Sequence, residues 1–128
     1  MNKQVNFDDL EVGYDITATI GSINLTGAGN VDVNQLNAGD STMAITVSGA
    51  LSTAGYLKLT STEATAADNL TVTVTGNTTV TAASAIVAAT SSTATLNLNG
   101  ASVTLTNGIT LDDDTGLAII SFTPTAAR

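Results

Sequence analysis

Ala94-Thr95-Leu96-Asn97-Leu98 and Ala101-Ser102-Val103-Thr104-Leu105 flank the dipeptide Asn99-Gly100, and the reading of this stretch decides the fold. Asn-Gly between two alternating runs is a strong short-range hairpin signal, because both central residues of a type I′ turn need positive φ. A two-residue turn sets Leu98 opposite Ala101, Leu96 opposite Val103 and Ala94 opposite Leu105. The apolar residues then share one face, with Thr95, Thr104, Asn97 and Ser102 on the other.

Working outward, Thr106-Asn107-Gly108 reads as a three-residue loop with Gly108 in the left-handed region. That loop pairs Leu105 with Ile109 and Val103 with Leu111. Asp112 to Gly116 turns the chain again, setting Leu111 against Leu117 and Ile109 against Ile119. The last run, Leu117-Ala118-Ile119-Ile120-Ser121-Phe122, is apolar on both faces. Such a strand is central in a sandwich or covers a subunit contact, since left bare it invites aggregation.

Earlier segments carry the same period of two. Ile16, Ala18 and Ile20 alternate with Asp15, Thr17 and Thr19; Met43, Ile45 and Val47 form the next clear strand. Leu57 and Leu59 flank Lys58, and Leu70, Val72 and Val74 alternate with Thr71, Thr73 and Thr75. Val31 and Val33 start a short strand. Ser61 to Asn69 is the best helical candidate, and Ala83 to Thr90 fits a strand or a short helix. About ten short strands with regular turn signals predict an all-β, antiparallel sandwich or barrel-like module. Met1 to Val12 reads as an N-terminal arm or leading strand anchored by Phe7, and residues 13–128 as a single β domain. The repeated Val-Thr and Leu-Asn texture also fits a β-solenoid. The absence of a fixed period and the turns at Asn99-Gly100 and Asn107-Gly108 favour hairpins.

Composition bounds the function. Thirty Ile, Leu and Val residues stand against four aromatics, Phe7, Tyr14, Tyr56 and Phe122, so the core is aliphatic. The chain has no cysteine and no histidine, and its formal net charge is −8. Its three bases, Lys3, Lys58 and Arg128, argue against nucleic acid and anionic membranes as partners. No apolar run approaches membrane-helix length and no signal peptide precedes the arm, which predicts cytoplasmic synthesis. A nucleophile would need Lys58 or a carboxylate as its base, and Lys58 is expected to point outward from its strand, so no enzyme is expected.

Other motifs have ordinary explanations. Asp112-Asp113-Asp114-Thr115-Gly116 is the densest charge and the one weak metal candidate, but it lacks the glutamate of a calcium loop and reads as an acidic turn. Gly27-Ala28-Gly29 has Asp32 where a dinucleotide fingerprint needs glycine. Asn24, Asn69 and Asn77 begin glycosylation triplets that a Thr-rich chain produces by chance. No cofactor is expected.

Met1 without an export signal, the polar arm to Val12 and the Thr/Ala/Val-rich strands Leu70 to Thr75 and Ala94 to Leu105 together give a chain that resembles structural proteins of tailed-phage virions. The likeness is to capsid decoration (cement) proteins and head-fibre components. It implies a non-enzymatic β-rich virion protein, often a trimer, that binds the major capsid protein on the outer shell and stiffens it. A fibre or adhesin-type module is the alternative. The residues expected at an interface are Phe7, Leu117, Ile119, Ile120 and Phe122. If the last strand lies in a subunit contact, Ile120→Asp abolishes assembly and leaves the monomer folded. Size-exclusion chromatography with circular dichroism checks this, and loss of folding would mark the strand as internal.

Overall fold

A computed structural model describes residues 4–5, 10–12, 17–24, 30–35, 42–61, 69–89, 92–112 and 116–123. Among them every regular element is a strand, and every strand pair is parallel. The expected antiparallel sandwich or barrel is therefore wrong, although the all-β class is right. The chain winds as five coils, each laying one strand on each of three sheets.

Sheet A holds β1 (Gln4–Val5), β4 (Ser22–Asn24), β7 (Leu51–Thr53), β10 (Thr78–Val80) and β13 (Val103–Leu105). Sheet B holds β2 (Leu10–Val12), β5 (Val31–Gln35), β8 (Leu57–Ser61), β11 (Ser84–Ala88) and β14 (Ile109–Asp112). Sheet C holds β3 (Thr17–Ile20), β6 (Thr42–Val47), β9 (Asn69–Val74), β12 (Thr93–Leu98) and β15 (Leu117–Phe122). Ser84 to Ala88 resolves the Ala83 to Thr90 ambiguity as strand, and the helical candidate between Ser61 and Asn69 lies outside the described residues.

The alternation read from the sequence survives, but its partners change. Leu96 does not face Val103. It lies in register with Val72 on one side and Ile120 on the other, and Leu98 lies between Val74 and Phe122. Val103 pairs with Thr78, and Leu111 with Ile86. Each inner position thus stacks on the same position one coil away. Met43, Leu70, Ala94 and Ala118 make one such column, and Val33, Leu59, Ile86 and Leu111 another. The buried core is these columns, with Leu57, Leu59, Leu70, Leu96 and Leu98 fully enclosed. Leu96→Ala should cost about 2–5 kcal/mol, the usual range for a buried leucine, read by urea denaturation.

Why Asn99-Gly100 makes no hairpin is visible at the corner between sheets C and A. Gly49, Gly76 and Gly100 stack there on successive coils. A Cβ on Gly76 would sit 2.4 Å from the Gly49 carbonyl oxygen, and one on Gly100 would sit 2.1 Å from that of Gly76. Glycine is needed for close approach of backbones, not for a left-handed turn. The Gly76 N–H donates to the Gly49 carbonyl at 2.9 Å, and the Asn99 N–H to that of Val74 at 2.9 Å.

Gly108 differs. It has the expected positive φ, 77°, in the expected three-residue connection, and its N–H donates to the Leu105 carbonyl at 3.1 Å. That turn joins two faces of one coil instead of two paired strands. Space around a Gly108 Cβ is open. Asparagine tolerates left-handed backbone, so Gly108→Asn should change stability by less than about 1 kcal/mol. Gly100→Asn should cost about 3 kcal/mol or more through overpacking. A hairpin at Asn99-Gly100 would tolerate both, and thermal melts of the two variants decide.

Buried hydroxyls cluster at the corners. Ser84 Oγ accepts from the Leu57 N–H at 3.0 Å and donates to the Ala82 carbonyl at 3.2 Å. Thr53 Oγ1 accepts from the Gly55 N–H at 2.9 Å. These side chains satisfy backbone groups that leave the ladders where the chain bends. Two hydroxyls, Thr60 Oγ1 and Thr78 Oγ1, are buried without a hydrogen-bond partner, and Thr78 is fully buried, in register with Leu51 and Val103. Thr78→Val keeps the shape and removes the stranded hydroxyl, so it should stabilise the fold by about 1 kcal/mol, measured by the same denaturation.

Candidate interaction surfaces

The three outer faces differ in chemistry. Sheet B carries the charge: Asp32 and Lys58 occupy one outer column, followed by Ala85 and Thr110, with Glu11 of β2 in register with Asp32. Lys58 stands half-buried on the outside of β8, between Asp32 and Ala85 in register, as expected of an outward lysine. The Tyr56 hydroxyl donates to Asp32 Oδ2 at 3.0 Å, which fixes that aromatic to the sheet B face. Sheet A presents small polar groups, with Asn24, Ser52, Thr79 and Thr104 in one column.

Sheet C has no charged residue in any of its five strands, in a chain of net charge −8. Its outer positions are dominated by threonine. One column reads Thr17, Ala44, Thr71, Thr95 and Ile119, and the next reads Thr19, Thr46, Thr73, Asn97 and Ser121. Adjacent strands of a sheet lie about 4.8 Å apart and alternate residues about 6.7 Å apart, so these positions form a regular grid. Asn97 Nδ2 donates to Thr73 Oγ1 at 3.3 Å within it. The sequence reading placed Thr17, Thr19, Thr71, Thr73 and Thr95 on the polar side of their separate strands. It missed the face because a column exists only once the coils are stacked.

The last coil is the other exposed feature. The inner positions of β13, β14 and β15 have a coil on one side only. Val103, Leu105, Ile109 and Ile120 are partly buried against the core, whereas Leu111 and Phe122 are 40% and 55% exposed. The outer edges of these three strands have no strand partner among the described residues.

Four of the five expected interface residues, Leu117, Ile119, Ile120 and Phe122, fall in this coil. Ile120 and Phe122 occupy inner register positions, above Leu96 and Leu98. Leu117 and Ile119 lie on the outer side, in register with Thr93 and Thr95, and Leu117 is 50% exposed. The expected strand pairings of Leu117 with Leu111 and of Ile119 with Ile109 do not form, because β14 and β15 belong to different sheets. Since Ile120 packs on the core, Ile120→Asp perturbs the last coil as well as any contact. Phe122 is the cleaner probe. Phe7 lies outside the described residues, as do Asp113 and Asp114. Asp112 ends β14 and is exposed.

Among the described residues no group of three or more acidic side chains could hold a metal ion, and no helix is long and apolar enough to cross a membrane. Asn24, Asn69 and Asn77, the starts of the glycosylation triplets, lie at strand ends or corners, and Thr78 of the third triplet is buried. In comparisons with known proteins, no family model, no curated protein and no solved structure matches the chain.

Proposed function

We propose that this chain is a non-enzymatic structural protein of a phage particle, which lies against the outer capsid surface as a decoration protein. The observation that supports this reading is the charge-free threonine face of sheet C. The centre of a protein interface is depleted of charged groups, because an ionised side chain loses its hydration on burial. In an acidic chain, a continuous face without charge is the surface that a partner covers at least cost. Threonine suits that role: it is stiff at χ1, so little rotamer freedom is lost on docking, and its hydroxyl exchanges water for partner groups.

The open last coil favours the second reading, a fibre component, because a solenoid whose final coil exposes core positions has an end to which more structure can be added. Both readings place the chain in the virion and leave its own bonds and those of its partner uncut.

Co-sedimentation of the purified protein with expanded empty phage heads, and separately with tails, tests the assignment. Saturable binding to heads supports decoration, and binding to tails alone supports the fibre reading. Thr71→Lys/Thr95→Lys places two cations in the middle of the face and should weaken head binding by at least about tenfold, with an unchanged melting temperature. A wild-type chain that sediments with neither particle overturns the proposal, and so does a double variant that binds heads as tightly as wild type.

A further inference from the structure

We propose that copies of this chain join head to tail, with β13, β14 and β15 of one copy accepting β1, β2 and β3 of the next in parallel, so that a single solenoid continues across the junction. The last coil offers three strand edges at once, all running in one direction. A coil of the same winding supplies three matching strands together. The first coil of a second copy is such a coil, and its own outer edges also lack strand partners among the described residues.

The strand lengths agree in rank. Sheet C contributes the longest strand at both ends, β15 with six residues and β3 with four, and sheet A contributes the shortest at the first coil, β1 with two. The register columns agree residue by residue. On sheet A the column that begins at Val5 passes through Ile23, Leu51 and Thr78 to Val103, so continuation sets Val5 of the next copy over Val103. On sheet B it sets Val12 over Leu111, since that column runs through Val33, Leu59 and Ile86. On sheet C it sets Ala18 over Ile120 and Ile20 over Phe122. Every one of these junction pairs is apolar on both sides.

Charge is consistent with the same register. Glu11 of the incoming copy continues the column that ends in Thr110, and Asp112 stands in the neighbouring column with Asn34, Thr60 and Val87. Among the described residues, no acidic position is in register with another across the junction. A two-fold arrangement of last coil on last coil would run the strands antiparallel and set edges of unequal length together. Head-to-tail contact is heterologous and has no built-in end, so it makes rods of one width and many lengths.

The decisive experiment uses two full-length variants, each blocked at one end. Phe122→Asp disables the last coil and Val12→Asp the first. Circular dichroism and melting confirm that each is folded. Sedimentation velocity of the wild-type chain should show mass that grows with concentration and no stopping point. Each variant alone should remain monomeric to at least about tenfold higher concentration. An equimolar mixture should form a 1:1 dimer that grows no further, because it holds one intact junction. Dimerisation of Val12→Asp alone would overturn the proposal in favour of a two-fold contact. A closed trimer, or a wild-type monomer at all concentrations, would overturn it too.

A second measurement does not depend on those substitutions. The chain has no cysteine. Glu11→Cys/Thr110→Cys therefore places the only two thiols at facing positions of the junction, about 4.8 Å apart between neighbouring strands, within disulfide reach. Oxidation should give a reducible ladder of covalent multimers. A folded double variant that yields no ladder would count against the junction. Head binding through sheet C is read separately, so failure here leaves the proposed function to its own test.

Discussion

The constraint on which this structure depends is that three parallel ladders must be satisfied by every coil at the same time. A strand in a sandwich can shift to improve one sheet. Here a shift of one residue on sheet C turns Met43, Ile45 and Val47 outward and also moves the corners that feed sheets A and B. The corners therefore matter as much as the strands. At the corner from sheet C to sheet A the coils approach so closely that successive positions are Gly49, Gly76 and Gly100. At other bends, hydroxyls and amides replace the missing ladder partners: Ser84 serves Leu57, the Asn77 side chain accepts from the Ser102 N–H, and Asn107 donates to the Thr81 carbonyl. Asparagine is thus used as a bridge between coils, in positions where a local reading sees only turns.

Much of the local structure was legible in the sequence. The alternation at Met43 to Val47, Leu57 to Leu59 and Leu70 to Val74 correctly assigns inner and outer faces, because period two depends only on the strand itself. Gly108 was legible for the same reason: its backbone conformation is a local matter. Partner choice was not legible from those signals. Alternating runs around Asn99-Gly100 satisfy a hairpin and a solenoid corner equally well, and the residue that decides between them, Gly76, lies 24 positions earlier.

The repeat was obscured for a physical reason. From the second coil onward, register partners lie 24 to 28 residues apart. The drift comes largely from the passage between sheets B and C, which takes seven residues from β8 to β9 and four from β11 to β12. A search for one fixed period fails on such a chain. The glycines carry it nonetheless, since Gly21, Gly49, Gly76 and Gly100 each follow the sheet C strand of their coil. The surfaces were the least legible part. Residues of the last strand drew notice for their apolarity, but a charge-free threonine face has no signature until columns replace runs.

The unequal passages between sheets B and C bear on how such a chain can change its length over generations. A single codon gained or lost inside a strand would turn the side chains beyond it in that strand to the opposite face and disturb the core of that rung. At the bend after β8, extra residues leave the neighbouring rungs where they were, and three more are already accommodated there than after β11. Larger growth proceeds by duplicating a whole rung, because each rung touches only the one before and the one after. Heritable variation in this architecture is thereby channelled into two sizes, a few residues at one bend or roughly two dozen at a time.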